Sequence, residues 1–128
     1  MSIRGMKKPN LPDDHPCPVE AAMDVIGGRW KGVILYHLLA RGSLRFGELR
    51  RLLPPRATQQ AVTNQLRELE ADGVVHREVY QQVPARVEYS LTPLGESLKL
   101  LLFGLCEWGK EYQAQIAERS SALITTAH

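Results

Sequence analysis

Two helix-length apolar patterns separated by a proline pair, followed by an abrupt change of period at a glycine, restrict what this chain can fold into more than any other feature. In Phe46-Gly47-Glu48-Leu49-Arg50-Arg51-Leu52-Leu53 the apolar residues share one side of a short helix, and Pro54-Pro55 ends it. Thr58 can cap a second helix with Val62, Leu66 and Leu69 on one face, and Gly73 supplies the left-handed stop that such helices favour. From Val74 the pattern becomes β-branched and aromatic: residues 74–80 and 87–91, joined by a proline-containing stretch, predict a hairpin with a long, irregular, projecting tip. Helix, turn, helix and projecting hairpin together make a winged helix-turn-helix.

The flanks extend this unit. Pro18 opens a first helix that Gly27-Gly28 closes, and Trp30, Val33, Ile34, Leu38 and Leu39 form the core stripe of a second, which ends near Gly42. Thr92 and Pro93 begin a last helix in which Leu94, Leu98, Leu101, Leu105, Trp108 and Tyr112 recur at alternating spacings of four and three, a heptad seam. Leu102, Phe103 and Cys106 widen that apolar face beyond what a small domain buries alone, so the seam is expected to dimerise the chain. The expected fold class is α+β, mostly helical, a winged helix-turn-helix with N- and C-terminal dimerisation helices. Residues 1–16 read as a flexible arm, 17–119 as the DNA-binding and dimerisation domain, and 120–128 as a frayed tail.

Charge placement indicates a partner more clearly than net charge does. The formal net charge of +2 over 128 residues is weak evidence, but Arg41, Arg45, Arg50, Arg51, Arg56 and Arg67 lie in one stretch opposed only by Glu48. At 100° per residue the helix after Thr58 turns Gln60, Thr63, Asn64 and Arg67 away from its apolar face. Gln and Asn match the paired donor and acceptor of adenine in the major groove, Arg matches guanine, and Thr offers a hydroxyl or a methyl. The alternative is an ordinary solvated face; the helix-turn-helix context favours base reading. Arg45, Arg50, Arg51 and Arg56, with Thr58 and Gln59, are the expected backbone contacts, since guanidinium groups hold phosphate bidentately. On the wing, Gln81, Gln82 and Arg86 are placed to meet the minor groove or phosphate, while Arg77 can pair with Glu88 across the hairpin.

Other chemistries have little support. No apolar run approaches a membrane span and the N-terminus lacks the apolar centre of a secretory signal, so a cytoplasmic protein with no membrane partner is expected. Cys17 and Cys106 are too few and too far apart for a disulfide framework. The histidines show no metal-ligand spacing, no phosphate-binding glycine loop is present, and no serine has a nucleophile context, so neither catalysis, metal nor cofactor is expected. Cys17, at the N-cap of the first helix, stands at the positive end of a helix dipole that favours thiolate, with Glu20 acting against it. A redox or electrophile sensor and a buried, inert cap residue both fit that position, whereas Cys106 reads as packing.

The ordered set Cys17-Pro18-Val19-Glu20, Ile26-Gly27-Gly28-Arg29-Trp30-Lys31, Arg45-Phe46-Gly47-Glu48-Leu49-Arg50-Arg51 and Gln65-Leu66-Arg67-Glu68-Leu69-Glu70-Ala71-Asp72-Gly73 resembles the HxlR-type winged-helix regulators. The likeness continues through Val83-Pro84-Ala85-Arg86-Val87-Glu88-Tyr89-Ser90-Leu91-Thr92 to Glu107-Trp108-Gly109 and covers roughly residues 17–110. It implies a homodimeric transcriptional regulator, with repressor the expected sign, that binds a double-stranded DNA operator. It also implies that a small electrophile or oxidant can act as signal through Cys17. The reading from a different class is a winged-helix protein-interaction module without sequence-specific DNA binding, against which Gln60, Asn64 and Arg67 argue.

Overall fold

A computed structural model of the chain describes residues 17–126, with side chains through residue 123; the arm expected at 1–16 lies outside the described residues. The elements in chain order are α1 (Pro18–Ile26), α2 (Lys31–Arg41), β1 (Leu44–Arg45), α3 (Phe46–Leu52), α4 (Gln59–Ala71), β2 (Val75–Tyr80), β3 (Arg86–Leu91), α5 (Pro93–Glu96) and α6 (Lys99–Thr126). Pro18 occupies the first turn of α1, and Gly42 and Gly73 take φ of 79° and 78°, the left-handed geometry needed where α2 and α4 stop.

Helices α2, α3 and α4 close over the start of the sheet. Ile34, Leu35 and Leu38 from α2, Leu49 from α3, Val62, Leu66 and Leu69 from α4, and Val74 and Val75 at the entry to β2 are all buried. Each large side chain taken out of water contributes roughly 1.5–3 kcal/mol, so this cluster holds the unit together.

The sheet has three antiparallel strands rather than the hairpin alone. Its order is β1-β3-β2, with Leu44 opposite Tyr89 and Val75 opposite Leu91. Strand β1 is two residues long, too short to show an alternation in the sequence.

The C-terminal helix expected from Thr92 is split in two. The Thr92 hydroxyl accepts from the Gly95 amide at 3.0 Å and donates to the Gly73 carbonyl at 2.6 Å, which anchors α5 to the end of α4. Gly95 is buried where a Cβ would overlap the Val74 carbonyl, and the chain then passes through tight turns, Ser97 N to Leu94 O and Leu98 N to Gly95 O, before α6 starts. Helix α6 continues to Thr126, so the segment from Ser120 read as frayed is helical to that point. No helix among the described residues is long and apolar enough to cross a membrane.

Candidate nucleic-acid interface

Helix α4 is the centre of the site. Thr58 caps it, its hydroxyl accepting from the Ala61 amide at 3.1 Å. With Val62, Leu66 and Leu69 fully buried, Gln60, Asn64 and Arg67 stand exposed on the opposite side. Thr63 is half-buried: with Arg67, Glu70, Arg77 and Tyr89 it lines a small polar pocket of about 170 Å³ between α4 and the sheet. Burial raises the Tyr89 phenol above its ordinary pKa, more than the neighbouring Arg77 guanidinium lowers it, so the phenol stays protonated.

Both flanks of the exposed face are tied down. On one side Glu70 Oε2 is 3.8 Å from Arg77 Nε on β2, and this carboxylate takes Arg77 in place of the expected cross-hairpin Glu88. On the other, Gln65 Oε1 accepts from the Trp30 amide at 2.8 Å and Glu68 Oε2 lies 2.7 Å from Lys31 Nζ. Sequence reasoning missed these ties, because Gln65, Glu68 and Glu70 look like ordinary solvated residues until their distant partners are known.

The arginines divide into separate groups. Arg50 and Arg51 on α3 share a shallow surface depression of about 400 Å³ with Gln59 at the start of α4, a continuous edge beside the exposed face. Arg45 lies with Arg51 in an adjoining depression that also contains Glu48 and Glu88, so its charge is partly opposed. Arg56 sits over the Trp30 ring at 5.7 Å, with Arg29 at 5.0 Å from the same ring. Gln81 and Gln82 are exposed at the wing tip. Arg86, however, folds back on the hairpin, its guanidinium 4.2 Å from the Tyr80 ring centre and its Nε 3.4 Å from Glu88 Oε1.

The expected dimer residues also divide. Leu101, Leu105, Trp108 and Tyr112 are exposed along α6, with the Trp108 and Tyr112 rings stacked at 5.3 Å. Leu94 is exposed on α5, while Leu98 packs against the core of its own chain beside buried Leu102. In α1, Val19 and Met23 are exposed and no residue is buried. Cys17 occupies the N-cap of α1 with a side chain that is exposed in the single chain; Cys106 is half-buried in an apolar groove with Gly32, Val33, Tyr36, Leu102 and Leu105. Among the described residues no group of three or more His, Cys, Asp or Glu gathers to hold a metal ion.

Known proteins share this fold. A model of the HxlR-like helix-turn-helix family matches residues 25–117. The uncharacterised HTH-type transcriptional regulator YdeP of Bacillus subtilis (strain 168) is 51% identical over 110 residues, 86% of this chain and 84% of the relative. Among solved structures, the redox regulator HypR in its oxidised form is 56% identical with a TM-score of 0.70, covering 74% of this chain and 96% of that one. Its reduced form is 51% identical with a TM-score of 0.73, covering 80% and 99%.

Proposed function

The chain belongs to the HxlR-like helix-turn-helix family and acts as a regulator of transcription, and from that premise we propose that it works in the cytoplasm as a homodimer that reads a double-stranded operator through α4. The observation that carries this reading is the geometry of α4: a helix fixed by three fully buried apolar residues presents Gln60, Asn64 and Arg67 outward. Those groups suit the base edges of the major groove, with Thr63 at their margin. Arg50, Arg51 and Gln59 beside them suit the phosphate backbone, with Arg45 and the Thr58 end of the helix next to it. Gln81 and Gln82 are the wing residues free to extend; Arg86 must leave Tyr80 and Glu88 before it can reach DNA. Leu101, Leu105, Trp108 and Tyr112 supply the apolar seam for a second copy, and a two-fold pair places two reading helices in grooves about 34 Å apart. Repression is the sign of regulation we assign, by occupation of the operator.

We assign the signal to Cys17. Its side chain is exposed at the start of α1, a helix that buries none of its own residues, and HypR, one of the solved neighbours, is a redox regulator. A two-electron oxidant that takes two electrons and two protons from a pair of thiols joins them as a disulfide; Cys17 with Cys17 of the partner subunit, or Cys17 with Cys106, are the candidate pairs. An aldehyde instead adds across its carbonyl, sulfur bonding to carbon and the thiol proton passing to oxygen. Either product changes how α1 packs and hence the separation of the reading helices.

One experiment tests both parts. Fragments selected from a random DNA pool, with and without thiol oxidant or aldehyde, yield the operator and its response. On that operator Asn64→Ala and Arg67→Ala should each lose ~1–3 kcal/mol of discrimination at a defined base position, whereas Arg50→Ala and Arg51→Ala weaken all sequences alike and lower the salt slope. Base preference that survives Asn64→Ala and Arg67→Ala defeats the reading of α4. A response to the reagents that persists in Cys17→Ser defeats the assignment of the signal.

A further inference from the structure

Where α1, α2 and α4 meet, one ammonium serves two of the three elements from the third. Lys31, at the start of α2, is only 7% exposed and is the buried charged residue among those described. Its Nζ lies 2.7 Å from Glu68 Oε2 on α4 and 3.4 Å from the main-chain oxygen of Asp24 on α1. One residue earlier, the Trp30 amide donates to Gln65 on the same flank of α4. Gly28 makes this approach available, since a Cβ there would stand 2.9 Å from Gln65 Oε1 and 3.0 Å from the Lys31 stem.

An ammonium withdrawn from water is costly unless its protons find acceptors, and removing one partner leaves the other charge stranded. The arrangement that satisfies Lys31 therefore requires α1 and α4 to be correctly placed together. Glu68 and Gln65 lie beside Asn64 on α4 without belonging to the exposed reading set, so they can fix the angle of that face without touching a base. The core contacts of Val62, Leu66 and Leu69 hold α4 down, and the charge-assisted bond to Lys31 adds a directional contact on one flank of the helix.

We propose that Lys31 is a positioning residue for DNA recognition: by sharing its ammonium between Glu68 of α4 and the Asp24 carbonyl of α1, it ties the angle of the reading helix to the position of the helix that begins at Cys17. This rests on the reading of α4 as the helix that enters the groove. It gives a disturbance of α1 a direct route to that helix that bypasses the apolar core.

The test uses the full-length dimer carrying Glu68→Gln, Lys31→Met, both together, or Lys31→Arg. The Glu68 side chain is 59% exposed, so its variant is expected to fold even if Lys31→Met does not. Each single variant should lose about tenfold in the ratio of operator to random-sequence affinity, and the double variant no more than either single one. Lys31→Arg should recover part of the loss, and the salt slope should stay unchanged because no phosphate contact is removed. A residue that only stabilised the fold would lower the unfolding midpoint and leave the affinity ratio of the folded dimer as it was.

A second measurement does not depend on DNA. Spin labels at Glu20→Cys and at Asp72→Cys, both exposed positions, in a Cys17→Ser, Cys106→Ser background with one labelled chain per dimer, report the distance from the first turn of α1 to the end of α4. The distribution should be narrow in the parent and broaden in Glu68→Gln. An unchanged distribution, additive losses in the double variant, or an unchanged affinity ratio while Asn64→Ala abolishes base preference each overturns the proposal. If Asn64→Ala and Arg67→Ala both leave base preference intact, it is the reading of α4 that has failed; the label distances then decide alone whether Lys31 ties the two helices.

Discussion

Helices α4 and α6 use the same periodicity to opposite ends. Helix α4 has 13 residues and sets its apolar stripe, Val62, Leu66 and Leu69, wholly inside its own chain, which leaves its polar face free to meet something else. Helix α6 has 28 residues, about 42 Å at the usual rise, and buries Leu102 while Leu101, Phe103, Leu105, Trp108, Tyr112 and Leu123 stay exposed. A stripe satisfied within the chain makes a scaffold; one left exposed is the surface we propose meets a second chain. The same division separates the unit from α2 to β3, which has its own core, from α1 and the outer part of α6, which do not.

The sharpest way to break that division is to damage the core under α4. Leu66→Ala removes a side chain that is 1% exposed, and we expect it to cost about 2–5 kcal/mol of unfolding free energy, read by urea denaturation. Operator binding should fail with the fold. A loss of less than about 1 kcal/mol would mean that the cluster relaxes to fill the space and is less rigid than its burial suggests.

A charge on α6 should act differently. Leu101→Glu alters a residue that is 43% exposed in the single chain, so the winged unit should keep its circular dichroism and its core while the dimer dissociates at least about a hundredfold more readily, by sedimentation. Wild-type unfolding should move to higher temperature with protein concentration, and that dependence should vanish in the variant. A Leu101→Glu protein that stays dimeric would place the interface elsewhere, with Val19 and Met23 of α1 the next residues to charge.

The elements that could be read from the sequence are those whose signals are local. The cap at Thr58, the stripe through Leu69 and the stop at Gly73 lie within sixteen residues of one another, and the helix they predict is the one found. The surplus of apolar positions on α6 was equally plain, since it depends only on spacing. What escaped depends on contacts that form only between elements of the folded chain, whether their partners are near or far in the sequence. Strand β1 exists because Leu44 finds Tyr89, and Leu98 leaves the dimer seam because the turns after Gly95 aim it at the core. Arg86 is drawn back by Tyr80 and Glu88, and Glu70 rather than Glu88 takes Arg77. In each case the residue type was suitable for the expected role, and the folded chain adds a contact that competes with it.

The smallest expected effect is one of pH, and it separates the two regions by concentration dependence rather than by size. His37, half-buried on α2 with the Tyr36 ring edge-on at 5.8 Å, is held below the ordinary histidine pKa of 6.5 by burial and, secondarily, by the Arg41 charge. Well above 6.5 the imidazole is neutral in both the folded and the unfolded chain and contributes no pH dependence. As pH falls through that value the unfolded chain takes up the proton first, so stability declines until the folded His37 is also protonated. The titration takes place within one chain, on a helix of the self-contained unit, so the decline should be the same at every protein concentration, whereas any loss that arises at the α6 seam should grow on dilution. Urea unfolding at about pH 7.5 and about pH 5.5, for wild type and His37→Gln in the Leu101→Glu background, isolates it. The variant should show a smaller fall in stability between the two conditions than its parent; an equal fall in both would assign the acid sensitivity of the core to another group.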